Sequence, residues 1–338
     1  MNIKEAINHL ISGKNLSHNE SFAVVNSIME GEATDAQIAC FLTALRLKGE
    51  TADEISGAAQ AMASKAEPFK INTENVVDTC GTGGDNLHTF NISTTAAFIA
   101  AGAGVKIAKH GNRSVSSKCG SADILKNLGV NIDISVQKFV DVFNKTGIAF
   151  LFAPVYHKAM KYAIGPRREM GIRTIFNVLG PLTNPAKTKR QVIGVFDKDL
   201  CETMAAVMKK LGAEHVLIVH GHNGLDEIAV TGETYVSELK NGIIKSYTIH
   251  PEQFGMKIRD IKEIQSPDCE ENKRITLNVL NGKAGAALDV AVINAAASIL
   301  VGGKVDNLFD GIELAYESAT QGLALAKLNE LIKNTNAQ

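Results

Sequence analysis

The chain has 338 residues, 45% hydrophobic and 21% charged, which is ordinary for a globular protein and enough for one large domain or two. Its 35 Lys and Arg against 36 Asp and Glu give a formal net charge of −1. No global basic field exists to draw nucleic acid or an anionic membrane, so any anion site has to be local.

Residues 1–68 read as helices. Ser17-x-x-Glu20 and Thr51-x-x-Glu54 have capping-box form, and Thr34 precedes another amphipathic run. Ile38, Phe41, Leu42 and Leu45 step at helical spacing, Gly31 and Gly49 close two segments, and Pro68 ends the last. From Val76 the pattern changes to strands near 75–79, 105–109, 130–133, 148–152, 191–196 and 215–220. Helical runs near 94–103, 121–128, 135–145 and 199–211 separate several of them, so a largely parallel sheet covered on both faces is expected. Around Asn241-Gly242, the runs 235–240 and 243–249 predict a hairpin with a type I′ turn. The tail, 285–302 and 307–332, is helical. Residues 165–188 carry Gly165, Pro166, Gly180, Pro181 and Pro185, too many breakers for a simple strand-helix unit. This segment is expected to return to the helical part, so that a site forms where the two domains, 1–68 and 69–338, meet.

Five cysteines (Cys40, Cys80, Cys119, Cys201, Cys269) are widely spaced, odd in number and lack a C-x-x-C pair. That pattern argues against a disulfide framework or a zinc site and suits a reducing cytoplasm. No signal core opens the chain. The apolar run 96–105 is too short to span a bilayer, and 284–301 is interrupted by Asp289 and Asn294. A soluble, cytoplasmic protein is expected.

The segment Asp78-Thr-Cys-Gly-Thr-Gly-Gly-Asp-Asn-Leu-His-Thr-Phe-Asn-Ile-Ser-Thr94 says most about function. A strand, a glycine turn and a helix start bearing hydroxyls direct backbone N–H groups and a positive helix end at an anion. A tight turn needing positive φ is the plain alternative. No Gly-Lys-Ser/Thr follows, and the third glycine of G-x-G-x-x-G is missing, so nucleotide hydrolysis and dinucleotide binding lose support. Residues 109–123 follow the next strand with three cations, four serines, an asparagine and two glycines. Beside the glycine loop they suit a 5-phosphate and a pyrophosphate; alone they read equally well as a solvated basic loop. Asp226 and Glu227 follow the strand at 215–220 and suit magnesium held by one or two carboxylates plus ligand phosphates, although adjacent loop carboxylates are often merely solvated. His220 and His222 lack a third ligand at zinc spacing. Arg167, Arg168 and Arg173 lie in the breaker-rich segment. Ion pairs with Glu169 or nearby acids account for some, and one facing a cleft suits a planar carboxylate.

Taken together and in order, Asp78–Thr94, Lys109–Gly129, Arg167–Ala186 with Phe176-Asn-Val-Leu-Gly-Pro-Leu-Thr-Asn-Pro185, Gly221–Ile228 and Phe41–Gly57 resemble the anthranilate phosphoribosyltransferase family of tryptophan biosynthesis. The resemblance implies an α/β fold like that of pyrimidine nucleoside phosphorylases: a small all-helical domain, a larger α/β domain with a mostly parallel sheet flanked by helices, and a homodimer. It implies contact between phosphoribosyl pyrophosphate and Gly81, Gly84, Asp85, Thr89, Asn91, Ser93, Thr94, Lys109, His110, Gly111, Asn112, Arg113, Ser114, Val115, Ser116, Ser117 and Ser121. Anthranilate falls to Gly81, Asn112 and Arg167, and Mg2+ to Ser93, Asp226 and Glu227. The D-D-x-x-x-T-G loop of the commoner phosphoribosyltransferases is missing. An aryl amine is already mostly neutral near pH 7, so no covalent nucleophile or strong base is expected. The alternatives are a pyrimidine nucleoside phosphorylase on the same fold and a non-catalytic relative that binds nucleic acid; net charge speaks against the latter. Neither nucleic acid nor membrane is an expected partner.

Overall fold

Four short helices open the chain, each begun by a side chain that closes its own first turn: α1 (Ile3–Ile11), α2 (His18–Glu30), α3 (Asp35–Lys48) and α4 (Ala52–Ser64). Asn2, Ser17, Thr34 and Thr51 accept the N–H three residues on, and Glu5, Glu20, Gln37 and Glu54 return the bond. Glu54 is fully buried, and its carboxylate also accepts from the Leu16 N–H at 2.9 Å and from Lys48 Nζ at 2.9 Å. A buried charge supplied with this many donors is tolerated where an unpaired one would not be. The computed structural model describes residues 1–113 and 118–337.

The second part is built on seven strands: β1 (Val76–Gly81), β2 (Lys106–Gly111), β3 (Ile148–Phe152), β4 (Arg190–Gly194), β5 (His215–Gly221), β6 (Thr234–Lys240) and β7 (Ile243–Ile249). They lie in the order β3-β2-β1-β4-β5-β6-β7; the first five are parallel, and β6 and β7 add antiparallel at one edge. Asn241 (φ 52°) and Gly242 (φ 78°) supply the two left-handed residues of the expected type I′ turn. The connections carry α5 (Ile92–Gly102), α6 (Ser121–Asn127), α7 (Val136–Thr146), α8 (Ala153–Tyr156), α9 (Lys161–Met170), α10 (Phe176–Leu182) and α11 (Leu200–Lys210). Then follow α12 (Cys269–Leu280), α13 (Ala286–Val301), α14 (Leu308–Thr320) and α15 (Leu323–Asn336).

Period-two alternation divides the strand side chains between two faces. Val77, Ile107, Val192 and Leu217 enter one core with α5, α13 and parts of α12, α14 and α15. Ile193, Val216 and Ile218 face the other way, into a core shared with α11 and the N-terminal helices. Both α5 and α13 are apolar nearly all round and lie against each other, as central helices must.

Two expectations need correction. Residues 130–133 form no strand: Val130 and Ile132 are buried, but the Asn131 N–H goes to Thr335 Oγ1 (3.2 Å) and the Asp133 N–H to Asn131 Oδ1 (3.1 Å). Alternation alone finds a buried extended link and cannot supply a neighbouring strand. The breaker-rich segment 165–188 carries Pro166 inside α9 and Pro181 inside α10. There α9 lies against α2 and α3, and α10 against α4. Finally, Cys119 and Cys269 are joined by a disulfide, with Cα atoms 5.2 Å apart across 150 residues of sequence. Local spacing rules cannot see a pair that only the tertiary fold brings together. Cys40, Cys80 and Cys201 are free.

Candidate active site

Every one of β1, β2, β4 and β5 ends in glycine: Gly81, Gly111, Gly194 and Gly221. Strand order reverses at β1, with β2 on one side and β4 on the other, and ligand crevices open at such points beyond the strand ends. Three of these glycines admit the loop that follows β5, Gly221 because a Cβ there would stand 2.4 Å from the Glu227 carbonyl oxygen. A Cβ on Gly81 would stand 2.1 Å from Asp226 Oδ2, and one on Gly194 1.6 Å from the Asp226 carbonyl oxygen. Only glycine lets the Asp226-Glu227 loop lie across the strand ends.

That loop is held by the groups it faces. The Gly83 N–H donates to Asp226 Oδ2 at 2.6 Å, and the Ser93 N–H at the start of α5 donates to Glu227 Oε1 at 3.1 Å. Lys109 Nζ donates to Ser93 Oγ at 3.2 Å and to the Thr79 carbonyl. Lys109, Asp226 and Glu227 are all buried, so the solvated reading of the acidic pair is excluded. Burial pushes the Asp226 carboxyl well above the usual range, and the charges of Asp85 and Glu227 push it further. Burial raises Glu227 to about 7, against the opposing pull of Lys109 and Ser93. Two buried carboxylates beside a third, Asp85, with Lys109 as the nearby cation, make a pocket short of positive charge.

Among the described residues no three His, Cys, Asp or Glu form a ready-made metal cluster. This donor set fits magnesium in particular, which accepts one or two carboxylates and takes its other ligands from water and phosphate oxygens. Around it, Thr82 Oγ1, Asn91 Oδ1 and Thr94 Oγ1 are buried without a hydrogen-bond partner among the described residues. Unpartnered buried polar atoms converging on a glycine loop and a helix N-terminus are what a polar ligand would satisfy.

The remaining candidates spread over the same edge. Asp85 accepts from the Leu87 N–H at 3.2 Å, and Thr89 bridges to Gln265. Gly84 has φ +81°, and its carbonyl accepts from Arg173, whose guanidinium lies 4.0 Å over the Phe196 ring. Asn112 Oδ1 accepts from the Arg113 N–H at 2.7 Å while its carbonyl accepts from Ala122, next to Ser121 at the head of α6. Arg113 stands 5.7 Å over Phe152. Ser114, Val115, Ser116 and Ser117 lie outside the described residues. Arg167 is half-buried over Phe176, 5.2 Å from the ring centre, and burial lowers its pKa. Among the described residues none of Arg167, Arg168 and Arg173 pairs with Glu169, so the expected ion pairs do not form.

Three residues to which the sequence assigned no role, Asp78, Asn184 and His157, stitch these parts together. Asp78 is fully buried and accepts from the His110 N–H (3.0 Å), Asn184 Nδ2 (2.8 Å) and Gln191 Nε2 (3.3 Å), with Lys109 the main charge opposing its desolvation. Its signal was legible: a carboxylate inside an otherwise apolar strand. Asn184 also donates to the Ala108 carbonyl at 2.8 Å, which ties the segment after α10 to β2. Arg173, just ahead of α10, ties the other end of that helix to the glycine loop. His157 lies 5.1 Å from His110, ring to ring. Burial lowers His110 to about 3 and His157 to about 4, so both rings are neutral at pH 7. His110 Nδ1 meets the Gly180 carbonyl at 3.0 Å, while His110 Nε2 makes no hydrogen bond among the described residues. Nothing in sequence marks His157, because its partner is 47 positions away.

Comparison with known proteins defines the class first. Residues 73–325 match the glycosyl transferase family a/b domain, and residues 4–66 match the helical bundle domain of the same family. The anthranilate phosphoribosyltransferase of Alkaliphilus metalliredigens (strain QYMF) is 52% identical over 331 residues, 98% of each chain. The crystal structure of anthranilate phosphoribosyltransferase from Thermus thermophilus superposes with a TM-score of 0.93 at 37% identity, covering 98% of this chain and 99% of that one. The Saccharomyces cerevisiae anthranilate phosphoribosyltransferase, 28% identical, matches with TM-scores of 0.91 in complex with PRPP and Mg and 0.90 in complex with 4-fluoroanthranilate, covering 99% of this chain and 98% of that one. The chain belongs to the anthranilate phosphoribosyltransferase family.

Proposed function

We propose that this chain transfers the phosphoribosyl group of 5-phosphoribosyl 1-pyrophosphate to the amine of anthranilate, releasing pyrophosphate, as a step of tryptophan biosynthesis. The observation that carries the reading is the cation-poor pocket of Asp226 and Glu227, packed on Gly81 and Gly194 and flanked by Thr82 Oγ1, Asn91 Oδ1 and Thr94 Oγ1, which have no hydrogen-bond partner among the described residues. The anthranilate nitrogen forms a bond to C1 of the ribose as the C1–O bond breaks. The bonding pair leaves on the pyrophosphate, and the amine proton passes to that product or to water. The glycine-loop amides, the start of α5 and Lys109 would hold the donor phosphates, together with Asp85, Thr89, Asn91, Ser93, Thr94, His110–Arg113, the serine-rich loop 114–117 and Ser121. Ser93, Asp226 and Glu227 would hold Mg2+, which when bound supplies Lewis-acid assistance to the leaving group. Arg167, Asn112 and Gly81 would seat anthranilate, the guanidinium forking its carboxylate. Catalysis then rests on positioning and fixed charge.

The same reading carries a cytoplasmic homodimer with its helical domain at 1–68 and its donor domain at 69–338. Among the described residues no helix is long and apolar enough to cross a membrane. The deciding assay follows loss of anthranilate fluorescence with and without donor and magnesium. Consumption is expected only when both are present; consumption without donor, or none at all from folded protein, overturns the reading. Asp226→Ala/Glu227→Ala is expected to lose the magnesium-dependent rate, and full retention would remove the metal assignment.

A further inference from the structure

The Cys119–Cys269 bond joins two elements that both touch the donor site. Cys119 closes the loop that runs from β2 to α6, and its carbonyl accepts from Asn91 Nδ2 at 3.3 Å. Cys269 is the first residue of α12, and one turn along that helix Asn272 Oδ1 accepts the Asn91 N–H at 3.2 Å. Asn91 therefore sits between the two bonded segments, and it is the residue immediately before α5. A cavity of about 420 Å³ opens beside the pair, lined by His88, Thr89, Lys118, Cys119, Ser266 and Asn272. Cys119 is buried, whereas Cys269 is half-buried and reachable.

We propose that Cys119 and Cys269 are a redox-modification site through which a low-molecular-weight disulfide sets the donor affinity of the site at Asn91. In the dithiol form the Cys269 thiolate attacks one sulfur of the small disulfide, forming a mixed disulfide and expelling one small thiolate. The Cys119 thiolate then attacks the Cys269 sulfur and expels the second. Two protein thiols are oxidised, one small disulfide is reduced to two thiols, and the two cysteine protons end on those thiols. Closing the bond pins Cys119 to the start of α12 and fixes Asn91 between them. An Asn91 already held in place no longer has to be positioned by the ligand, so the oxidised form binds donor more tightly. Excess small thiol reverses both steps.

This inference rests on the transferase reading for its ligand but not for its chemistry. The whole protein is equilibrated in reduced and oxidised glutathione mixtures, alkylated and peptide-mapped. Calorimetry with phosphoribosyl pyrophosphate and Mg2+, donor KM, kcat and melting temperature are then measured on each form and on Cys269→Ser. The oxidised form is expected to protect Cys119 and Cys269 together and to lower the donor Kd and KM by about three- to tenfold with kcat little changed. Cys269→Ser is expected to match the reduced enzyme in both buffers. Full alkylation of both cysteines in the oxidised, folded protein overturns the pairing. A crosslinked form that melts higher but binds donor as the reduced form does overturns the coupling and leaves only a structural bond. Absence of donor binding in every form overturns the transferase reading and the coupling with it, while the peptide map still decides the pairing.

Discussion

Replacing Gly81 by alanine tests the site at its tightest point. The new methyl would lie 2.1 Å from Asp226 Oδ2 and 2.7 Å from its carboxyl carbon, against the roughly 3.5 Å that nonbonded carbon contacts require. Gly81 does not have positive φ, so the backbone itself accepts alanine. The overlap can be relieved only by swinging the Asp226 carboxylate aside, which breaks its 2.6 Å bond from the Gly83 N–H. Separating the Gly83 N–H from the buried Asp226 carboxyl costs about 1–3 kcal/mol, and the displaced carboxyl group no longer points where the metal assignment needs it. Together these predict a loss of about 2–4 kcal/mol of transition-state stabilisation, or about 30- to 1000-fold in kcat/KM for the donor. Steady-state anthranilate fluorescence measures it, with circular dichroism confirming an intact fold. Gly83→Ala is the control, since its methyl meets nothing within 4 Å and the penalty is only the positive φ of +72°, about 1 kcal/mol. Wild-type kcat/KM for Gly81→Ala, or a larger loss for Gly83→Ala, would refute the argument that Asp226 must lie on Gly81.

Three further outcomes follow from the site. Arg167→Ala should raise the anthranilate KM about tenfold or more with a smaller effect on the donor, and an unchanged value removes Arg167 from the acceptor site. Glu227 titrates near 7 in the folded chain and near 4.5 unfolded, so its neutral form contributes stability that is complete below 4.5 and lost as pH rises through 7. Magnesium binds the charged form, so the melting-temperature rise it causes should be small at pH 5.5 and larger at pH 8; a rise independent of pH contradicts this. His110 and His157 are lowered to about 3 and about 4 from 6.5, so the stability of keeping them neutral is present above 6.5 and drains away as pH falls toward 4. Each contributes a slope of about 1.4 kcal/mol per pH unit in that window. His157→Gln should flatten the acid limb of a urea-denaturation series, and an unaltered slope would place the acid sensitivity elsewhere.

What the amino-acid order decides by itself is whatever depends on near neighbours. Capping boxes at Ser17 and Thr51, the hairpin at Asn241-Gly242, and the strand–glycine–helix passage from Val76 to Thr94 are legible because each interaction closes within a few residues. The mostly parallel sheet follows from strand-helix alternation for the same reason. The tertiary structure alone decides which distant pieces meet. Asp226 looks like any loop acid until Gly81 and Gly194 show that it is buried on two strand ends. Residues 130–133 alternate like a strand and lack only a partner, which a side chain of α15 replaces. Pro166 and Pro181 read as breaks yet fall inside helices that other elements support. Cys119 and Cys269 look unrelated until α12 is laid beside the loop that enters α6. Local chemistry is written in short-range order because few backbone torsions separate its parts. A site assembled from strand ends depends on register and crossover, which many remote contacts set jointly and no short window contains.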